Sequence, residues 1–372
     1  MGYFAIGNKM AKVPIIQGGM GVGVSRSKLA GAVAKSGGIG IISTAQIGYD
    51  EKDFAEHYRE SNIRAIQKHV RQAKSQADGG LVGVNVMVAL KDYEEHVRTA
   101  AHAGADVIIC GAGLPVTLPK LVEGTDAKIA PVVSSEKAVS ILLKMWERRY
   151  QSTADFIVIE GPKAGGHLGF SREQIQEDVA GSLQYDEEIK KIIGTVRSFE
   201  EKFDKKIPVM VAGGIFDAED IRHVRELGAD GVQVASRFVV TEECDAHPAY
   251  KEAYLNAKEE DIRIVQSPVG MPGRAIENKF LKEVAEGRKK VARCYGCLAK
   301  CDPEKIPYCI TQALIRAVDG DVENGLIFCG ANVGRIREMT TVSALMEELK
   351  EGFCDNETLN CQDRTNILKI VS

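Results

Sequence analysis

The chain has 372 residues, 44% of them hydrophobic, with 37 glycines, 9 cysteines and a formal net charge of −4. This length and composition fit a globular chain of one large domain with an extension, or of two domains, and exclude wholesale disorder. The slight negative charge argues against nucleic acid or an anionic membrane as the main partner, and no apolar run approaches the roughly 20 residues that span a bilayer. The N-terminal "MGYFAIGNKMAKVPIIQ" lacks the apolar core of a secretory signal, so a cytoplasmic location is expected. The cysteines are then reduced thiols or ligands rather than a disulfide framework.

In chain order, eight short β-branched runs each end in glycine or a small polar residue. They are "VPIIQGG" (13–19), "IGIISTA" (39–45), "LVGVNVMV" (81–88), "DVIICGAG" (106–113), "KIAPVVSS" (128–135), "DFIVIEG" (155–161), "IPVMVAGG" (207–214) and "DGVQVASRF" (230–238). Such near-continuous apolar runs suit parallel strands covered on both faces. Amphipathic segments separate them, for example 25–37, 93–105 and 217–229, with Ser25 and Asp217 placed as N-caps. Eight strand–helix repeats predict an α/β fold, a (β/α)8 TIM barrel over 1–257, with a doubly wound sheet as the competitor. Residues 171–204 are longer and more charged than one crossover helix needs and read as the sixth helix plus an insertion. Residues 258–353 form a C-terminal extension with a cysteine cluster, and 354–372 read as a frayed tail.

Barrels of this kind bind ligands at the C-terminal ends of their strands and often hold phosphate after strands seven and eight. Those ends are Ala212, Gly213, Gly214 and Ala235, Ser236, Arg237. Bare amides and a hydroxyl beside an arginine make an anion cradle. Gly18, Gly19, Gly111, Gly113 and Gly161 recur at other strand ends, as a planar cofactor across the mouth requires. A dedicated dinucleotide fold is not supported, because "GGMGVG" (18–23) does not match G-x-G-x-x-G. In "EGPKAGGHLG" (160–169), four glycines surround one histidine at a strand exit, which marks His167 as the catalytic candidate.

The runs "IIQGGM" (15–20), "GVNVM" (83–87), "EGPKAGGHLG", "VMVAGGI" (209–215), "GVQVASRFVVTEECDAHPAYK" (231–251) and "GMPGRAIEN" (270–278) together resemble the FMN-dependent nitronate monooxygenase and enoyl-ACP reductase II superfamily. The resemblance implies noncovalent FMN, with Gly213, Gly214, Ala235 and Ser236 at its phosphate. It places Gln17, Gly18, Gly19, Met20, Asn85, Lys163 and Gln233 along the ring or ribityl side. Gly111, Glu160, Gly165 and Gly166 complete the expected cofactor-binding set, and His167 matches the family's active-site histidine. The family usually shows Gly-Thr where this chain has Ala235–Ser236. Two chemistries follow from the resemblance: NAD(P)H-dependent reduction of an enoyl thioester, with His167 as proton donor, or oxidation of alkyl nitronates with oxygen. The first is favoured, with a small-molecule or acyl-carrier-bound substrate; the oligomeric state stays open, a homodimer being one candidate. A flavin-binding sensor or scaffold is the non-enzymatic alternative.

"CYGCLAKCDPEKIPYC" sets Cys294, Cys297, Cys301 and Cys309 in C-x2-C-x3-C-x7-C spacing. Thiolates at this density repel each other unless a cation or cluster neutralises them, which predicts a metal site. A [4Fe–4S] cluster is the first expectation, structural zinc the second and unligated thiols the third.

Overall fold

Alternation of inward and outward β-branched residues builds the centre of the molecule. The computed structural model describes residues 3–354, and the expected tail beyond Cys354 lies outside them. Eight parallel strands form a closed barrel: β1 (Ile15–Gln17), β2 (Ile39–Ser43), β3 (Leu81–Met87), β4 (Val107–Gly111), β5 (Lys128–Val133), β6 (Ile157–Glu160), β7 (Val209–Ala212) and β8 (Gly231–Val234). Sequence neighbours pair around the ring, and β8 closes onto β1 through Val232↔Ile15 and Val234↔Gln17. The doubly wound competitor is thereby excluded.

Residues one position apart on a strand face opposite sides. Leu81, Val107, Ile109, Phe156, Val158 and Met210 fill the barrel interior. Val82, Val84, Val86, Ile108, Ile157 and Val209 face the surrounding helices. An antiparallel hairpin, Phe4–Ile6 with Lys9–Ala11, puts Ile6 and Ala11 into the interior cluster and stoppers one end.

The outer ring comprises α1 (Ser27–Lys35), α2 (Tyr58–Gln76), α3 (Tyr93–His102), α4 (Leu118–Leu121) and α5 (Glu136–Tyr150), followed by α6 (Arg172–Val179), α7 (Tyr185–Phe203) and α8 (Ala218–Glu226). The long segment after β6 therefore holds two helices. α6 starts at a Ser171 capping box, and α7 packs on α5 while burying Ile189, Ile192, Val196 and Phe199. After β8 come α9 (Ser236–Val239) and α10 (Pro248–Asn256), then α11 (Lys279–Glu286), α12 (Ile310–Val318) and α13 (Val342–Lys350).

α13 lies against both α1 and α8 and buries Val342, Leu345, Met346 and Leu349. It fills the eighth place in the ring, so residues 257–341 run out and back between β8 and that helix. The extension shares the barrel's main buried cluster through Ala275, Phe280, Ala313, Ile327 and Val333.

Candidate functional site

The C-terminal ends of the strands open on one cavity of about 1460 Å³, counting its open mouth. Every residue of the expected flavin set except Gln17 lines it, and so does His167. Gln17 is fully buried: its Nε2 donates to Gly18 O and Ser25 Oγ, and its Oε1 accepts from Ile41 N–H at 3.0 Å. With its amide engaged by Gly18, Ser25 and Ile41, Gln17 shapes the β1 exit and does not line the cavity.

At the β7 and β8 ends, Gly213 adopts φ +89°, and a Cβ there would lie 2.8 Å from Gly161 O. Only glycine serves, and its bare backbone leaves a cradle. Ser236 Oγ accepts from Gly330 N–H at 3.0 Å, and Asn332 Nδ2 donates to Gly214 O at 2.7 Å. The Ala235 methyl, where the family carries glycine, packs over Gly18, whose own Cβ would lie 3.2 Å from it. Arg237 donates to both carboxylate oxygens of Glu348 on α13 and to Phe216 O. On the wall above, Gln233 Oε1 is buried without a partner among the described residues, although buried acceptors are almost always satisfied. The cradle and this orphaned acceptor fit a flavin mononucleotide, with phosphate at Gly213, Gly214, Ala235 and Ser236 and a ring N–H partner at Gln233.

The roof comes from the extension. Strands Ile262–Gln266 and Pro272–Ile276 form an antiparallel pair, and the two-residue strand Gly166–His167 joins it through Gly273 and Arg274. A Cβ on Gly165 would lie 2.6 Å from the Cys329 carbonyl carbon, so this glycine admits the extension's backbone. The buried Arg274 donates to Pro162 O at 2.8 Å and to Ala164 O, which clamps the loop carrying Lys163.

His167 Nε2 lies 2.7 Å from Ser267 Oγ, and the Phe328 ring stands edge-on to the imidazole with centroids 5.0 Å apart. Ser267 Oγ also accepts from Val269 N–H at 3.2 Å, which anchors the hydroxyl against the imidazole. Burial pushes the imidazole down to about 4, which makes it neutral at pH 7. Burial pushes the Glu160 carboxyl the other way, up to about 7, with no cation to hold it ionised. Tyr185 on α7 donates to the Glu160 carbonyl at 3.0 Å and fixes that strand end. Two cavity groups thus have their protonation pushed in opposite senses.

Ser267, Leu314, Phe328 and Asn332 had no motif to announce them, although Ser267 lies only three residues before the recognised "GMPGRAIEN". His247 is structural: its Nδ1 accepts from Ala249 N–H at the start of α10. Cys294, Cys297, Cys301 and Cys309 are free thiols, and among the described residues no group of three or more His, Cys, Asp or Glu could hold a metal ion, so the expected metal site finds no support in the structure.

Residues 5–352 match the profile of the family described as nitronate monooxygenase. The chain belongs to that family. It is a flavin-dependent oxidoreductase. Proteins named probable nitronate monooxygenase from Staphylococcus aureus (strain N315) and Staphylococcus saprophyticus are each 25% identical, over 73% and 74% of this chain and 78% of their own. The structure of FabK from Thermotoga maritima superposes with a TM-score of 0.69 at 26% identity, covering 96% of both chains. Nitroalkane oxidase from Streptomyces ansochromogenes shares the fold, with a TM-score of 0.67 at 20% identity over 96% of this chain and 98% of that one. Among the described residues no helix is long and apolar enough to cross a membrane.

Proposed function

We propose that this member of the nitronate monooxygenase family binds FMN noncovalently and reduces an enoyl thioester at the expense of NAD(P)H. The observation that carries this reading is Glu160, a half-buried carboxyl on the cavity wall that desolvation pushes up to about 7. Saturating an activated alkene consumes one proton along with the hydride, so the site needs a proton held in reserve. A nitronate arrives already deprotonated and makes no such demand.

Bound FMN supplies the two-electron store; the chain supplies position and protons. Gly213, Gly214, Ala235 and Ser236 hold the phosphate, and Asn85, Lys163 and Gln233 border the ring. Glu160, pushed up to about 7, holds a proton on its half-buried carboxyl over much of the neutral range. Neutral His167, held by Ser267 at Nε2, relays a proton to the substrate α-carbon by taking one from solvent at one ring nitrogen as it releases one from the other, so Ser267 keeps its own proton and no imidazolium is left behind. The enoyl chain would be presented on an acyl carrier protein or on coenzyme A.

The second reading, nitronate oxidation, is favoured by the names of the staphylococcal relatives. Anaerobic mixing separates the two. Flavin bleaching by NAD(P)H followed by reoxidation with crotonyl thioester supports the reductase. Bleaching by propyl-2-nitronate alone overturns it.

A further inference from the structure

A phosphate monoester carries a charge of about −1.5 to −2 at neutral pH, and the cradle at the β7 and β8 ends offers it only neutral donors. These are the bare amides at Gly213 and Gly214 and the Ser236 hydroxyl. Two features beside them could supply a counter-charge, and both are spent within the protein. Arg237 lines the cavity, but its guanidinium is matched by the two carboxylate oxygens of Glu348 at 2.8 and 2.7 Å. The N-terminus of α8, which follows β7, is capped by Asp217, whose carboxylate accepts from Glu219 N–H and Asp220 N–H.

Lys163 is the other cation lining the cavity, and no carboxylate pairs with it among the described residues. Glu160 shares the cavity wall, but desolvation alone sets its shift, so its carboxyl lies out of reach of the ammonium. The lysine stem has a defined course. Its Cβ and Cδ each lie 3.1 Å from the place a Gly214 Cβ would take, so the stem crosses the cradle at a glycine with φ +94°. The ammonium is two bonds beyond that Cδ. The backbone from which the stem leaves is held on both sides. Lys163 O accepts from Ala331 N–H at 3.1 Å, and Arg274 grips Pro162 O and Ala164 O. Only side-chain torsions are left to order when an anion binds.

We propose that Lys163 is the counter-ion of the flavin phosphate, and that it makes this cavity select a phosphorylated flavin over unphosphorylated riboflavin. The proposal rests on the FMN reading above and gives Lys163 a second task beyond bordering the ring. An ammonium on a flexible stem acts here as a point charge, and it adds charge-assisted bonds to a cradle of neutral donors. The side chain is exposed, so water and salt screen the pair. Its contribution to FMN affinity is then about tenfold, between the values for a surface ion pair and for a buried charged bond. Riboflavin, which lacks the phosphate, gains none of it.

The test titrates the flavin-free, full-length chain with FMN and with riboflavin, at low and high salt, and follows flavin fluorescence. Salt should weaken FMN binding and leave riboflavin binding alone. Lys163→Met should weaken FMN binding by about tenfold, keep riboflavin within about twofold of wild type, and shift the phosphorus NMR signal of bound FMN. Lys163→Arg should keep most of the preference. Equal loss for both flavins makes Lys163 a ring contact and overturns the proposal. An FMN affinity that ignores Lys163→Met overturns it too, and leaves the FMN reading standing. Wild type that binds neither flavin overturns both. Wild-type FMN binding that ignores salt overturns the proposal even if the variants do not fold. Neither NAD(P)H nor a thioester enters the assay, so the result is independent of which reaction the site performs.

Discussion

Ser267 Oγ and His167 Nε2 lie 2.7 Å apart across one hundred residues of sequence, so the imidazole at the cavity is oriented by the extension rather than by the barrel that carries it. Replacing Ser267 with alanine removes the orienting bond at Nε2. Flavin reduction by NAD(P)H should be unchanged, while reoxidation by an enoyl thioester slows by about tenfold or more. Ser267→Thr should recover part of the loss. Stopped-flow measurement of the two half-reactions checks this, and equal slowing of both would reduce Ser267 to a packing role.

The proposed reaction assigns the alkaline side of the pH profile to Glu160. Its carboxyl is raised from 4.5 to about 7, so it is protonated, and able to donate, below about pH 7. Enoyl turnover should fall as pH rises through 7, and Glu160→Gln should erase that limb. The same shift links to stability. The folded state holds this proton more tightly, so Glu160 is least costly below pH 4.5, and its cost grows to about 3 kcal/mol above pH 7. Flavin-free Glu160→Gln should therefore melt higher than wild type at pH 8 and near wild type at pH 4.5.

Gly213→Ala places a methyl 2.8 Å from Gly161 O at a φ of +89°. The strain is on the order of 1–3 kcal/mol and falls on the phosphate cradle. Purified variant should be nearly colourless, with added FMN bound at least tenfold more weakly. Retained yellow protein with wild-type affinity would move the phosphate elsewhere.

Phe328→Ala uncovers His167, whose low value is caused by burial. Imidazole titration should move up from about 4 toward 6.5, and the acid limb of turnover should follow it. The sign is fixed: a base with a depressed folded value loses stability as pH falls from 6.5 through 4, and uncovering it reduces that loss. Ring-proton NMR against pH measures both the value and the direction.

The barrel was legible because its signal is local. Runs such as "IPVMVAGG" carry β-branched strand and terminal glycine together, and all eight appear as barrel strands. The site was legible where backbone approach demands glycine, as at Gly213 and Gly214, and where His167 stands alone among small residues. The roof was not, since Ser267, Phe328 and Asn332 act through contacts made across one hundred residues or more. Gln17 shows the converse. It sits in a recognised motif, yet Ile41 and Ser25 take its amide. Nor does the apolar spacing of Val342, Leu345, Met346 and Leu349 say which groove α13 will occupy.

The placement of α13 has a consequence for the order of assembly. All eight strands have been synthesised once Val234 is made, but the groove between α1 and α8 stays open until Lys350 follows. At typical translation speeds that interval is on the order of ten seconds, during which a nascent barrel exposes an apolar seam at α1 and α8. A chain truncated before α13 keeps the residues that roof the cavity but leaves the seam open, so it should lose solubility even where its ligand site is fully encoded.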